Sequence, residues 1–142
     1  MFNLHAKRLF FSVILGFVLM FNNHYAIAQW TGIASSNDRG GYVVYLDPSL
    51  STVFDGVSNI WLLYDFEIIQ KVKTLQYRSY KIQMEIDCRN SMGRILGFID
   101  FSEHMGEGVP VRIDSFSHDW KQLIPNGKDK ILWDVACPLK RI

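Results

Sequence analysis

The chain has only two cysteines and no run of Lys and Arg longer than two residues. Its charges nearly balance, with 15 Lys and Arg against 14 Asp and Glu, which argues against DNA or RNA as a partner because such proteins usually carry a basic surplus. Its 10 Gly and 4 Pro are too few for collagen-like or low-complexity material, and 49% hydrophobic residues exclude a disordered chain. At 142 residues, the chain is predicted to form one small globular domain.

The longest apolar run, residues 9–21, has 13 residues, whereas a membrane-spanning helix needs about 20. It follows a cationic start and precedes the A-x-A sequence at residues 26–28, the order of a secretory signal peptide. We therefore expect residues 1–28 to be removed before Gln29, with no stable membrane insertion afterwards. The alternative is a retained interfacial helix. A lipoprotein would need a cysteine at the cleavage point, and the nearest is Cys88.

Both cysteines, Cys88 and Cys137, lie in the predicted domain, residues 29–142. The oxidising environment of an exported protein favours one disulfide between them. A redox pair would favour C-x-x-C, and a metal site would need more ligands nearby, so neither fits a separation of 49 residues. We expect a structural disulfide and no cofactor.

Apolar residues recur with a period near two along most of this domain, which indicates strands. Proline, glycine and polar residues mark the turns between them. Residues 49–56 are predicted to be a connection, and residues 67–77 fit either a helical turn or an irregular excursion. Six strands are predicted, at residues 30–35, 42–46, 57–66, 79–88, 94–102 and 109–114.

The clearest alternation lies in residues 79–88. One face of this strand is apolar, and the other carries polar and charged side chains. Cys88 belongs to the apolar face and should point into the core. With the turn formers of residues 89–93, this strand and the next are predicted to form an antiparallel hairpin. The apolar face consists of Tyr80, Ile82, Met84, Ile86 and Cys88.

After residues 125–127 the period becomes helical, because Ile131, Leu132, Val135 and Ala136 form one stripe. Cys137 and Pro138 mark the helix end, since proline cannot continue a helix without losing a backbone hydrogen bond. The fold class is therefore α+β, with a C-terminal helix packed on one face of an antiparallel sheet and joined to it by the disulfide.

Several spaced landmarks of this sequence resemble those of the surface-adhesin protein E family. Nearly all of the predicted domain takes part, from Trp30 to Cys137. The landmarks are Trp30, YVVYLDP at residues 42–48, Trp61, SYKIQMEIDC at 79–88, FSEHMGEG at 101–108, Trp120, Pro125 and WDVAC at 133–137.

The resemblance implies a six-stranded antiparallel sheet whose C-terminal helix is held on the concave face by the Cys88–Cys137 bridge. It also implies function, because the family is named after a bacterial outer-membrane lipoprotein that binds host extracellular-matrix and serum proteins. We therefore expect an adhesin-like binding protein located in the periplasm, at the cell surface or in the medium. This chain lacks the lipid-acceptor cysteine, so a lipid anchor does not carry over. The alternative is a periplasmic accessory or structural protein.

Two short segments contain residue types that catalysis uses, Ser102-Glu103-His104 and Ser117-His118-Asp119. Neighbours in sequence point in different directions, and neither G-x-S-x-G nor H-E-x-x-H is present. Ordinary hydrogen-bonded histidines explain them better than a metal site. We expect no catalytic and no metal-binding residues.

A modest basic patch is predicted around the hairpin, formed by Lys81, Arg89 and Arg94. It would suit an acidic protein partner such as a matrix glycoprotein, and the alternative is an ordinary solvated sheet face. Edge strands offer a second route, because their unpaired N–H and C=O groups can recruit a strand. Such edges would also permit a homodimer.

Overall fold

The computed structural model describes residues 30–127 and 129–137. The expected signal peptide, residues 1–28, and Pro138 lie outside them. The described chain forms one antiparallel sheet and a short helix, and its helices include none that is long and apolar enough to span a membrane. The elements are β1 Thr31–Ser36, β2 Tyr42–Leu46, β3 Thr52–Phe54, β4 Val57–Val72, β5 Leu75–Asp87, β6 Met92–Phe101, β7 Pro110–Asp114, β8 Lys121–Gln122 and α1 Lys130–Ala136.

Six strands form the main sheet in the order β1-β2-β4-β5-β6-β7, with all neighbours antiparallel. Two short strands extend it, because β3 pairs with the start of β4 and β8 pairs with the start of β6. The predicted α+β class, a six-stranded antiparallel sheet with a C-terminal helix, is confirmed. Pro110 begins β7, the last strand of the main order, where its missing N–H does not interrupt the ladder.

Residues 67–72 and 75–77 belong to strands, so both predicted alternatives for residues 67–77, a helical turn and an irregular excursion, are wrong. β4 continues to Val72, and β5 begins at Leu75 after a two-residue turn. A register shift between Asp65 and Gln70 separates this extension from the rest of the hairpin. Its side chains are mostly exposed, so cross-strand hydrogen bonds rather than one buried face hold it, and the apolar pattern did not reveal it.

The predicted connection at residues 49–56 contains β3 and is partly wrong. β3 pairs with β4 across a two-residue turn, Asp55-Gly56, in which both residues have positive φ, 45° and 75°. Asp-Gly is a preferred sequence for such hairpin turns. The sequence therefore contained the signal for this short hairpin.

The core lies between the sheet and α1. The alternation predicted for β5 places Ile82 and Ile86 in it, at 8% and 0% exposure. β4 is buried on both sides at its centre, since Leu62 and Leu63 are both fully enclosed. The buried cluster consists of Val44, Ile60, Leu62, Ile82, Ile86, Leu123 and Ala136.

Two bonds attach the end of α1 to the sheet. The Cys88–Cys137 disulfide joins the residue after β5 to the residue after the helix, with the two Cα atoms 5.6 Å apart. Beside it, the buried Ser58 hydroxyl on β4 donates a hydrogen bond to the Ala136 carbonyl. This carbonyl is one of the last in the helix, which cannot be satisfied within the helix itself.

Candidate protein-binding face

The sheet side that faces away from α1, here called the outer face, carries the polar residues of β5. Side chains of directly paired residues share a face, so Trp61 opposite Gln83 and Arg94 opposite Glu85 both belong to it. Gln83 donates a hydrogen bond to Asn59 on β4 at 3.0 Å. The outer face therefore carries polar side chains around a half-buried tryptophan, and the fully enclosed Leu63, which is paired with Lys81, also belongs to it.

Lys81 lies among aromatic rings of the outer face. Its Nζ is 5.0 Å from the centre of the Phe101 ring and 5.8 Å from that of Trp30. It also donates a hydrogen bond to the Gly106 carbonyl at 3.3 Å. Cation and rings attract each other at such distances, so the ammonium group and both aromatic side chains are held together.

Arg94 forms a second such arrangement on the outer face. Its guanidinium carbon is 4.6 Å from the Trp120 ring centre, and its Nη2 is 2.6 Å from the Glu85 carboxylate. The side chains of Arg94 and Glu85 keep 31% and 22% exposure, so the pair is accessible at the surface. Sequence reasoning could not assign Trp120 to this arrangement, because it lies 26 positions from Arg94 with no connecting motif.

Arg89 lies apart from the other two, in the turn after β5. Its Nη1 is 3.3 Å from the Asp55 carboxylate, and Nη2 donates to the Asp55 carbonyl. The six residue-to-residue steps of strand from Lys81 to Asp87 span about 20 Å. The three basic residues are thus spread along the outer face and its end, and do not form one compact cluster.

A loop covers the outer face at its other end, beyond Lys81. His104 in this loop has Nδ1 3.2 Å from the Asp65 carboxylate and Nε2 3.0 Å from Arg78 Nη1. The buried Ser79 hydroxyl donates to the Glu103 carbonyl at 2.6 Å and accepts from the Gly106 N–H at 2.9 Å. These contacts fix the loop beside the Lys81 cluster.

The two catalytic-type segments do not assemble within the described chain. The Ser102 hydroxyl accepts a hydrogen bond from the Val109 N–H, while His104 contacts β4 and β5. His118 contacts Asp114 at 3.1 Å, and it lines a cavity of about 170 Å³ beside α1 together with Asp119 but without Ser117. Among residues 30–127 and 129–137, no three His, Cys, Asp or Glu side chains converge as metal ligands would.

Aromatic side chains fill the helix side of the sheet where α1 does not reach. Tyr64 and Tyr80 stack with ring centres 4.6 Å apart, and Phe66 meets Tyr77 edge to face at 5.8 Å. Burial raises the pKa of Tyr64 to about 12 and also raises the pKa values of Tyr77 and Tyr80. These phenols therefore stay neutral at physiological pH.

Comparison with known proteins gives a family and a fold. The family model described as surface-adhesin protein E matches residues 30–138. Crystal form II of Haemophilus influenzae protein E is similar with a TM-score of 0.54 and 15% identity, over 66% of this chain and 79% of that one. Another structure of that protein has a TM-score of 0.53 and 16% identity, over 76% and 92%. No match arises among curated protein sequences.

Proposed function

Because the chain belongs to the surface-adhesin protein E family, we propose that it is an exported adhesin-like protein that binds an extracellular protein partner without catalysis. The partner is a matrix or serum protein, and the outer face is the contact surface. Lys81 and Arg94 lie in the centre of that surface, and Arg89 lies at its rim.

The observation that carries this proposal is the pairing of cations with aromatic rings on the outer face. Lys81 lies against Trp30 and Phe101, and Arg94 lies against Trp120. Protein interfaces are enriched in aromatic residues and arginine, and the residues that contribute most binding energy are typically Trp, Tyr and Arg. Rings that are already ordered by their cations lose little conformational freedom on binding, which supports affinity.

Binding should be measured by surface plasmon resonance with the purified, oxidised protein over immobilised matrix and serum proteins. A partner that binds the wild-type protein should bind the Arg94→Gln variant about tenfold or more weakly, which is the loss typical of a central interface arginine. Lys81→Gln should act in the same direction. Arg89→Gln should have a smaller effect, because an exposed rim charge contributes less than a central one.

Lys71→Gln is the matched control, since Lys71 is an exposed cation on the distant extension of β4. It should leave affinity unchanged. Uniform absence of binding by the oxidised protein would remove the adhesin proposal. Binding that survives all three outer-face substitutions would retain a protein partner but move the contact to another surface.

Export is part of this proposal and has its own test. Expression of the full chain in a Gram-negative host, followed by fractionation and intact-mass analysis, should give a product that begins at Gln29 and carries no lipid. Recovery at the surface or in the medium supports an adhesin. Material retained wholly in the periplasm would favour an accessory protein instead.

A further inference from the structure

A second surface feature lies on the opposite side of the sheet from the outer face. Where α1 does not reach, the helix side of the sheet has a cavity of about 200 Å³, here called the tyrosine groove. A cavity of about 150 Å³ is enough to hold a benzene molecule, so this one can accept a large apolar side chain. It is lined by Arg39, Tyr77, Tyr80, Ile82, Ile95, Phe98, Asp100 and Arg112.

The aromatic part of the groove wall is held in place by other rings. Tyr80 stacks on Tyr64, and Tyr77 packs edge to face against the buried Phe66. Because these rings support one another, the groove is already formed without a ligand. Preformed, largely apolar clefts with a few polar groups are the usual form of small-molecule sites.

One cation at the groove has no ion pair among the described residues. Arg39 is in the turn between β1 and β2, where its backbone φ is 53° and its carbonyl accepts a hydrogen bond from Gln70. Its exposed side chain lines the same cavity as Tyr77 and Tyr80. A guanidinium offers paired N–H donors that match a carboxylate.

The groove also contains a buried carboxylate with a free oxygen. Asp100 is 2% exposed, and its Oδ2 lies 2.6 Å from Arg112 Nε. Its Oδ1 has no hydrogen-bond partner among the described residues. Arg112 is occupied by this ion pair and by the Phe98 ring, whose centre is 4.6 Å away. A buried acceptor without a donor is costly, so a ligand N–H here would be favourable.

We propose that the tyrosine groove binds an apolar residue that carries a free α-carboxylate. The side chain enters between Tyr77, Tyr80 and Phe98, the carboxylate pairs with Arg39, and the neighbouring N–H donates to Asp100 Oδ1. The carboxylate of Asp100 disfavours a doubly charged anion such as phosphate, because like charges would be brought together. A free amino acid and the C-terminal residue of a peptide share this chemistry.

Isothermal titration calorimetry of the oxidised protein should use three probes, L-phenylalanine, N-acetyl-L-phenylalanine and N-acetyl-L-phenylalaninamide. We expect the acetylated acid to bind at least about tenfold more tightly than the amide, which lacks the carboxylate. Tighter binding of the free amino acid than of the acetylated acid would identify a free amino acid as the source. The reverse order would identify a peptide C-terminus.

Arg39→Gln should remove the preference for acid over amide without changing the melting temperature. Glutamine tolerates the positive φ of this position no better or worse than arginine, so the backbone cost is the same. Lys71→Gln should keep the preference. The proposal fails if neither acid binds at millimolar concentration, if a crystal structure grown with the probes shows only an ordered water on Asp100, or if Arg39→Gln still discriminates.

Discussion

The helix side of the sheet has two halves that are shielded in different ways. In one half, α1 lies over Ile60 and Ile86, and the disulfide and the Ser58 hydrogen bond hold its end. In the other half, Tyr64 and Tyr80 cover the sheet by stacking, and a groove remains open. The seven residues of α1 span about 10 Å, whereas the ten of β6 span about 33 Å. A helix this short cannot cover the whole face.

One sheet thus combines a closed core in one half with an open groove in the other. The helix half buries aliphatic side chains almost completely, with Ile60 at 2% and Ile86 at 0% exposure. The tyrosine half uses side chains whose rings are apolar but whose hydroxyl groups can face water. We therefore expect changes in one half to leave the other largely intact.

Removal of the disulfide should have the largest effect and should act on the helix half. Closing a loop across 49 positions stabilises the fold by about 4 kcal/mol in the chain-entropy model. Urea titration of the Cys88→Ser/Cys137→Ser double variant should show this loss, and hydrogen exchange should show lost protection in α1 before the centre of β4. Equal loss of protection in both halves would contradict their independence. A reducing agent should have no further effect on the double variant.

Ser58→Ala should come next, at about 1–3 kcal/mol, because it removes the side-chain donor that the Ala136 carbonyl has among residues 30–127 and 129–137. Ser79→Ala is the matched control, since this serine is equally buried but binds the loop of the outer face. Chemical denaturation measures both losses. Hydrogen exchange should increase in α1 for Ser58→Ala and in residues 103–108 for Ser79→Ala. The same pattern for both variants would show that Ser58 does not act specifically on α1.

Alkaline pH should act mainly on the tyrosine half. Burial raises the pKa of Tyr64 to about 12 from the ordinary tyrosine value of 10.0, so the folded state retains a proton that the unfolded state loses. Stability should be constant below pH 10 and fall above it, by roughly 1.4 kcal/mol per pH unit for each such tyrosine until the folded pKa is reached. Denaturation at a series of pH values measures the slope. Tyr64→Phe should reduce the slope. An unchanged slope would show that Tyr64 does not cause the loss of stability at alkaline pH.

The smallest effect is expected for Lys130→Ala at the start of α1. Lys130 contacts Asp134 one turn later, but the two side chains are 62% and 54% exposed. Such pairs contribute about 0.3–0.5 kcal/mol. Thermal unfolding should therefore change little. A loss comparable with that of Ser58→Ala would mean that surface charge, rather than the two bonds at its end, holds the helix on the sheet.

The sequence predicted the helix half better than the tyrosine half. Regular alternation in β5 and helical spacing in α1 are local patterns that follow burial on one face, and the bounds of β2 agree at both ends. The extension at residues 67–77 was missed because exposed strands lack that pattern. The groove was missed because Arg39, Asp100 and Arg112 are distant in sequence and meet only after the sheet forms.

The disulfide also determines which cuts in the backbone can release a fragment. The covalent ring between Cys88 and Cys137 contains β6, β7, β8 and α1. A protease that cleaves the exposed stretch at residues 115–120 would open this ring but leave both pieces on one molecule. A cut at the tip of the β4–β5 hairpin lies outside the ring, so there only the hydrogen bonds and side-chain packing of the sheet would keep the two pieces together.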